Sequence, residues 1–192
     1  MDRLSTVTTL AAYQGNGWSV IGADTRVVDA GTIFELPKNA GKIFRKNSYV
    51  IGVAGDFRVA QLLQHAVELP KPNGIHTQEA ADKFMTSEVI PMWRAEYQEL
   101  GYEVDKDIGS VVLISLNTFV YALDESWTWA RDKRGIYGGG SGQSYVLGAL
   151  NAYEFPKNVD EATVRLKAAI KIASQYDNNT SEPSVVISQE TK

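Results

Sequence analysis

The sequence predicts an α+β fold: a four-layer αββα sandwich of two antiparallel sheets flanked by helix pairs. Three observations predict it. Short β-rich runs occur in blocks, helix-period runs occur in pairs between those blocks, and the connections between strands are short and turn-forming. Such an order lets two sheets pack face to face while the helix pairs cover their outer faces. With 192 residues, the chain makes one domain of this kind.

The first block opens with TTLAAY and WSVIGADTR joined by QGNG, a strong hairpin signal. GTIFEL, KIFRK and YVIGVAG follow as meandering antiparallel strands, punctuated by PKNAG and KNS. In DFRVAQLLQHAVEL, Val59, Leu62, Leu63, Ala66 and Val67 fall on one helical face, with Asp56 as the N-cap and PKPNG as the stop. A second helical segment spans Thr77 to Leu100, and Pro91 is expected to kink or interrupt it. Strands return in SVVLISL, TFVYAL and SWTWA, rich in β-branched and aromatic residues. RGIYGGGSG then leads into a helix near Gln143, and VDEATVRLKAAIKIASQY is the clearest amphipathic helix, with Asp160 and Glu161 at its positive end. SVVIS closes the pattern as a last strand.

Composition removes several functional classes. Hydrophobic residues make up 44% and charged residues 22%, ordinary values for a globular chain. A formal net charge of -4 with scattered basic residues gives no footprint for nucleic acid. No apolar run approaches the roughly 18 to 20 residues that span a bilayer, and MDRLSTV lacks the apolar stretch of a secretory signal, so no membrane association and a cytoplasmic location are expected. The absence of Cys excludes disulfides, thiolate metal sites and a thiol nucleophile. His65 lies in a helical pattern and His76 just before a helix start, neither in a ligand or triad arrangement. Any nucleophile is therefore an oxygen or an amine, and no metal or cofactor is expected.

The opening TTLAAYQGNGWSVIGADTR resembles the start of proteasome β-type subunits and of the related bacterial peptidase ring that works with an ATP-driven unfoldase. VIGVAGDFRVAQLL is similar to their strand, glycine turn and first helix; YGGGSGQSYVLGAL and ASQYDNNTSEPSVVI are similar to their C-terminal half. The resemblance runs from Thr8 to Ile187 and implies the N-terminal nucleophile hydrolase fold, with residues 1–7 as a leader and 8–192 as a single proteasome-like domain. In that family a threonine at the mature N-terminus attacks a peptide carbonyl. A threonine hydroxyl is a weak nucleophile that needs an adjacent base, and a free α-amino group of reference pKa about 7.7–8.0 supplies one within the same residue. Such a base exists only once the leader has been removed.

Counting back without gaps from Asp24 puts Thr8 in the nucleophile position; aligning on TTL alone puts Val7 there, which has no hydroxyl. By resemblance, Asp24 is the buried carboxylate and Lys42 the lysine beside the nucleophile, with Lys38 a competing candidate because the segment between is about two residues longer than usual. Gly55 matches the glycine whose backbone N–H points into the oxyanion hole. Ser141 matches the serine near the threonine amine, and Asp177 and Thr180 match the groups that orient it. One departure is Val7, where glycine commonly precedes the nucleophile; a β-branched residue restricts the turn used in self-cleavage.

The resemblance thus implies a self-processed threonine-type endopeptidase of protein degradation in a ring-shaped homo-oligomer, acting on polypeptides and served by an unfoldase. Two alternatives stay open: a catalytically silent ring or scaffold subunit that keeps its leader, and a small-amide hydrolase of the same fold.

Overall fold

The structure, a computed structural model, describes residues 5–6, 8–29, 31–37, 41–103 and 107–191. Its strands are β1 (Ser5–Thr6), β2 (Thr9–Gly15), β3 (Trp18–Asp24), β4 (Arg26–Asp29), β5 (Thr32–Glu35), β6 (Ile43–Lys46), β7 (Tyr49–Asp56), β8 (Ser110–Leu116), β9 (Phe119–Leu123), β10 (Trp129–Ala130), β11 (Ile136–Gly140) and β12 (Ser184–Glu190). The helices are α1 (Phe57–His65), α2 (Gln78–Phe84), α3 (Ile90–Glu99), α4 (Gln143–Asn151) and α5 (Val159–Tyr176). One sheet runs β1–β7–β8–β9–β10 with β6 also on β7, the other β11–β2–β3–β12, and every pairing is antiparallel.

Alternation along the strands builds three apolar layers. In β2, Leu10 and Ala12 join Ile21 of β3, Val50 and Ala54 of β7 and Leu113 of β8 between the two sheets. Their neighbours Ala11 and Tyr13 pack the other way, against Val146 and Leu150 of α4 and Leu166, Ala169 and Ile170 of α5. On the far side, Ile51, Val53, Val112 and Ile114 pack under Leu63 of α1 and Met85, Val89 and Trp93. The expected four-layer αββα sandwich is what forms, because a period of two on each strand gives each sheet two buried faces.

Local departures have local causes. WSVIGADTR does not continue as one strand: the amide of Arg26 donates to Asp24 Oδ2 at 3.1 Å and turns the chain at Thr25, so β4 leaves the sheet. GTIFEL consequently pairs with β4 in a separate two-stranded sheet instead of joining KIFRK and YVIGVAG. The α1 helix ends at His65, earlier than the apolar pattern suggests, where the amides of Ala66 and Val67 both bond to Leu62 O. The segment from Thr77 to Leu100 stays helical through Pro91. A π-helical turn at Met85–Val89 precedes α3, and Pro91 sits in the first turn of α3, where a missing N–H is tolerated. SWTWA contributes only Trp129–Ala130 as strand.

Candidate active site

The start of β2 lies where both sheets and the end of α5 meet. Thr8 immediately precedes β2 and is fully buried. Alternation puts it on the side of Leu10 and Ala12, between the sheets, and Thr9 on the side of Ala11 and Tyr13, toward α5.

Asp24 ends β3 and Lys42 leads into β6, and their side chains are wholly buried together. The Lys42 ammonium reaches both carboxylate oxygens, Oδ1 at 2.9 Å and Oδ2 at 3.0 Å. Asp24 Oδ1 also accepts the amide of Thr9 at 3.0 Å, so a strand-end turn and the first residue of β2 share one carboxylate. Burial pushes the Asp24 carboxyl above its ordinary pKa and the Lys42 ammonium below its own, while their mutual attraction opposes both shifts. Lys38, the competing candidate, lies outside the described residues, as does Val7.

The second cluster hangs on the C-terminus of α5. Asp177 caps that helix, and the turn DNNT folds back so that Asn179 donates to Asp177 Oδ1 through its amide at 3.1 Å and its side chain at 3.2 Å. Asp177 Oδ2 accepts Ser141 Oγ at 2.5 Å and Thr180 Oγ1 at 2.6 Å. Partial burial raises the Asp177 pKa, but the hydrogen bonds from Ser141, Thr180 and Asn179 outweigh it and hold the carboxyl below its usual value. Thr180 Oγ1 also lies 2.5 Å from Thr9 Oγ1. Ser141 is exposed to solvent, whereas Thr180 is buried, so the cluster opens outward through the serine.

Two glycines bring the strands together. Gly55 has φ +130, and a Cβ there would stand 2.3 Å from Gly109 O, so no side chain fits. It pairs with Ser110 of β8 on one side and with Thr6 of β1 on the other. Gly140 has φ +80, and a Cβ there would stand 1.8 Å from the Thr8 carbonyl oxygen and 3.1 Å from Ala54 Cβ. Gly140→Ala should therefore displace the start of β2 and cost at least the ~1–3 kcal/mol of a strained backbone. Gly139→Ala, whose methyl has 3.3 Å to its nearest neighbour, Val111 Cγ1, should be tolerated; denaturant midpoints of the two variants check this contrast.

Five of the predicted site residues thus form two clusters, Asp24 with Lys42 and Ser141 with Asp177 and Thr180, that meet at Thr9 beside Thr8, while Gly55 belongs to neither and pairs with Thr6 and Ser110. Sequence reasoning missed Thr9 and Gly140. The doubled threonine and the GGGSG run held the signal, since adjacent strand residues serve opposite faces and a glycine run marks a close backbone approach. His65 and His76 are exposed on α1 and ahead of α2 and take no part in either cluster. Among the described residues, no group of three or more His, Asp or Glu side chains is arranged to hold a metal ion, and no helix is long and apolar enough to cross a membrane.

No family model matches the sequence, and no curated protein matches it. Solved structures do match the fold. BPH, a bacterial proteasome homologue from Thiobacillus denitrificans, superposes with a TM-score of 0.75 at 18% identity, over 95% of this chain and 97% of that one. The same protein in complex with epoxomicin matches at 0.73 and 19% identity, over 95% and 98%. Eukaryotic HslV from Trypanosoma brucei matches at 0.68 and 18% identity, over 95% and 99%. The chain has the proteasome-like N-terminal nucleophile hydrolase fold.

Proposed function

We propose that this chain is a threonine-type endopeptidase of protein degradation that removes its own leader to expose Thr8 as an N-terminal nucleophile. The observation that carries the reading is the convergence of the Asp24–Lys42 pair and the Ser141–Asp177–Thr180 cluster on the residue that follows Thr8.

In self-cleavage, the Thr8 hydroxyl attacks the carbonyl of Val7. The peptide bond to Thr8 becomes an ester, the hydroxyl proton ends on the released α-amine, and water hydrolyses the ester. With a substrate, that amine takes the hydroxyl proton as Thr8 attacks, and passes it to the departing amine of the product. Water then cleaves the acyl-enzyme. Lys42 places a positive charge beside the reacting oxygen, the Gly55 N–H stabilises the oxyanion, and Ser141, held by Asp177, orients the α-amine. Polypeptide substrates suit the site because β1 already adds to the edge of β7 as an antiparallel strand, Thr6 opposite Gly55 and Ser5 opposite Asp56. A cytoplasmic ring of identical subunits, fed by an ATP-driven unfoldase, completes the proposal. Exposed Ile33 and Phe34 on the β4–β5 hairpin offer apolar surface for such an assembly.

The same β1 pairing favours a second reading, a silent subunit whose retained leader keeps the edge of β7 filled. Incubating the purified protein with blocked peptides and with simple acyl amides separates the readings. Cleavage of internal peptide bonds, blocked by epoxomicin, is the expected result. Turnover of small amides alone would replace the peptidase with a small-amide hydrolase, and no turnover of either would leave the silent subunit.

A further inference from the structure

We infer that Thr9 is the positioning residue of this site, tying the two carboxylate clusters together and so fixing where Thr8 stands; the inference rests on Thr8 as the nucleophile. Its two donors lead to different anions, the amide directly and the hydroxyl through Thr180. The backbone amide goes to Asp24 Oδ1 at 3.0 Å, and that oxygen also accepts the Lys42 ammonium at 2.9 Å. The destination of the hydroxyl follows from counting protons. Thr180 has one hydroxyl proton, and it goes to Asp177 Oδ2 at 2.6 Å. The 2.5 Å contact between the two threonine hydroxyls therefore has Thr9 as donor and Thr180 as acceptor.

The result is a chain of directed hydrogen bonds, Thr9 to Thr180 to Asp177, with Ser141 donating to the same carboxylate oxygen. All of it is buried except Ser141. Thr8 is one peptide bond away and cannot move along β2 without stretching the Thr9 bond to Asp24 or its bond to Thr180. Gly142 supplies an independent observation. A Cβ there would stand 1.9 Å from Thr9 Oγ1 and 3.1 Å from Thr180 Oγ1. Its backbone, φ -83 and ψ 7, has the negative φ that residues with a Cβ adopt at the third position of type I turns, so what this glycine provides is room for the Thr9 hydroxyl.

The test compares kcat and KM for peptide hydrolysis in wild type, Thr9→Val, Thr9→Ser and Gly142→Ala, with the mass of each preparation recorded. Thr9→Val and Gly142→Ala should each lower kcat about 10- to 100-fold, the scale of a misplaced reacting group, with KM little changed. Thr9→Ser, which keeps the hydroxyl, should stay within about threefold of wild type in kcat. A Thr9→Val chain that fails to process beside a processed Thr9→Ser chain supports the same role, since self-cleavage uses the same Thr8 hydroxyl. Wild-type kcat in Thr9→Val, or equal loss in Thr9→Ser, would overturn the inference and leave the nucleophile untouched. Should Thr9→Val not fold, Gly142→Ala decides: full kcat there overturns it. Hydrolysis that survives Thr8→Ala would instead remove the nucleophile itself.

Discussion

Thr8→Ala is expected to yield a folded protein that keeps residues 1–7 and hydrolyses no peptide. The fold should survive because the change removes one hydroxyl and one methyl from a residue just outside β2, while contacts of Thr9, Asp24 and Gly140 also fasten this region. The activity should not survive, because both steps of the proposed chemistry need the same oxygen. Removing the nucleophile of a hydrolase costs on the order of a millionfold in kcat, far beyond any positioning effect. Thr8→Ser should retain both processing and hydrolysis. Mass and peptide turnover report on the two steps separately, and normal hydrolysis by the alanine variant would sink the assignment.

The second large effect is expected at Lys42. Lys42→Ala leaves the Asp24 carboxylate fully buried without its cation, while the amides of Thr9 and Arg26 still donate to it. Breaking a buried pair in this way costs about 3–5 kcal/mol, and it also removes the positive charge that the proposed chemistry uses at Thr8. Loss of stability could by itself explain loss of activity, so the informative variant removes both charges. The Asp24 pKa is raised and the Lys42 pKa is lowered, each mainly by burial. At neutral pH a raised acid and a lowered base both count against folding, so the pair is retained at some cost to stability. Lys42→Met combined with Asp24→Asn, which keeps a carbonyl oxygen for the Thr9 amide, should therefore recover part of the stability lost in Lys42→Ala, yet stay inactive. Recovery of hydrolysis in the double variant would show that the pair is structural only. Loss of activity on replacing Lys38 instead would transfer the role to that residue.

Much of this was legible in the chain because strand and helix periods are local properties. The hairpin of TTLAAY and WSVIGAD, the β6–β7 pair, the α5 helix and the order of the blocks all follow from short-range patterns. The β4–β5 hairpin was not legible, because its departure from the sheet depends on one side chain, Asp24, turning its own strand end. Pro91 did mark an interruption of the α-helix, but the interruption takes the form of a wider π-helical turn at Met85–Val89 just before it, so the segment stays helical throughout. At the site, it was the resemblance to proteasome β-type subunits that pointed to Asp24, Lys42, Ser141, Asp177 and Thr180. The part played by Thr9 was hidden because it depends on contacts separated by 15 and 171 positions along the chain.

The central claim is that Thr8 becomes the first residue of the working enzyme. Intact mass with N-terminal sequencing of the purified protein tests it most directly. The account predicts a chain shortened by residues 1–7 that begins Thr-Thr-Leu. A full-length chain that nonetheless hydrolyses peptides, or a chain cut to begin at Thr9, would contradict it.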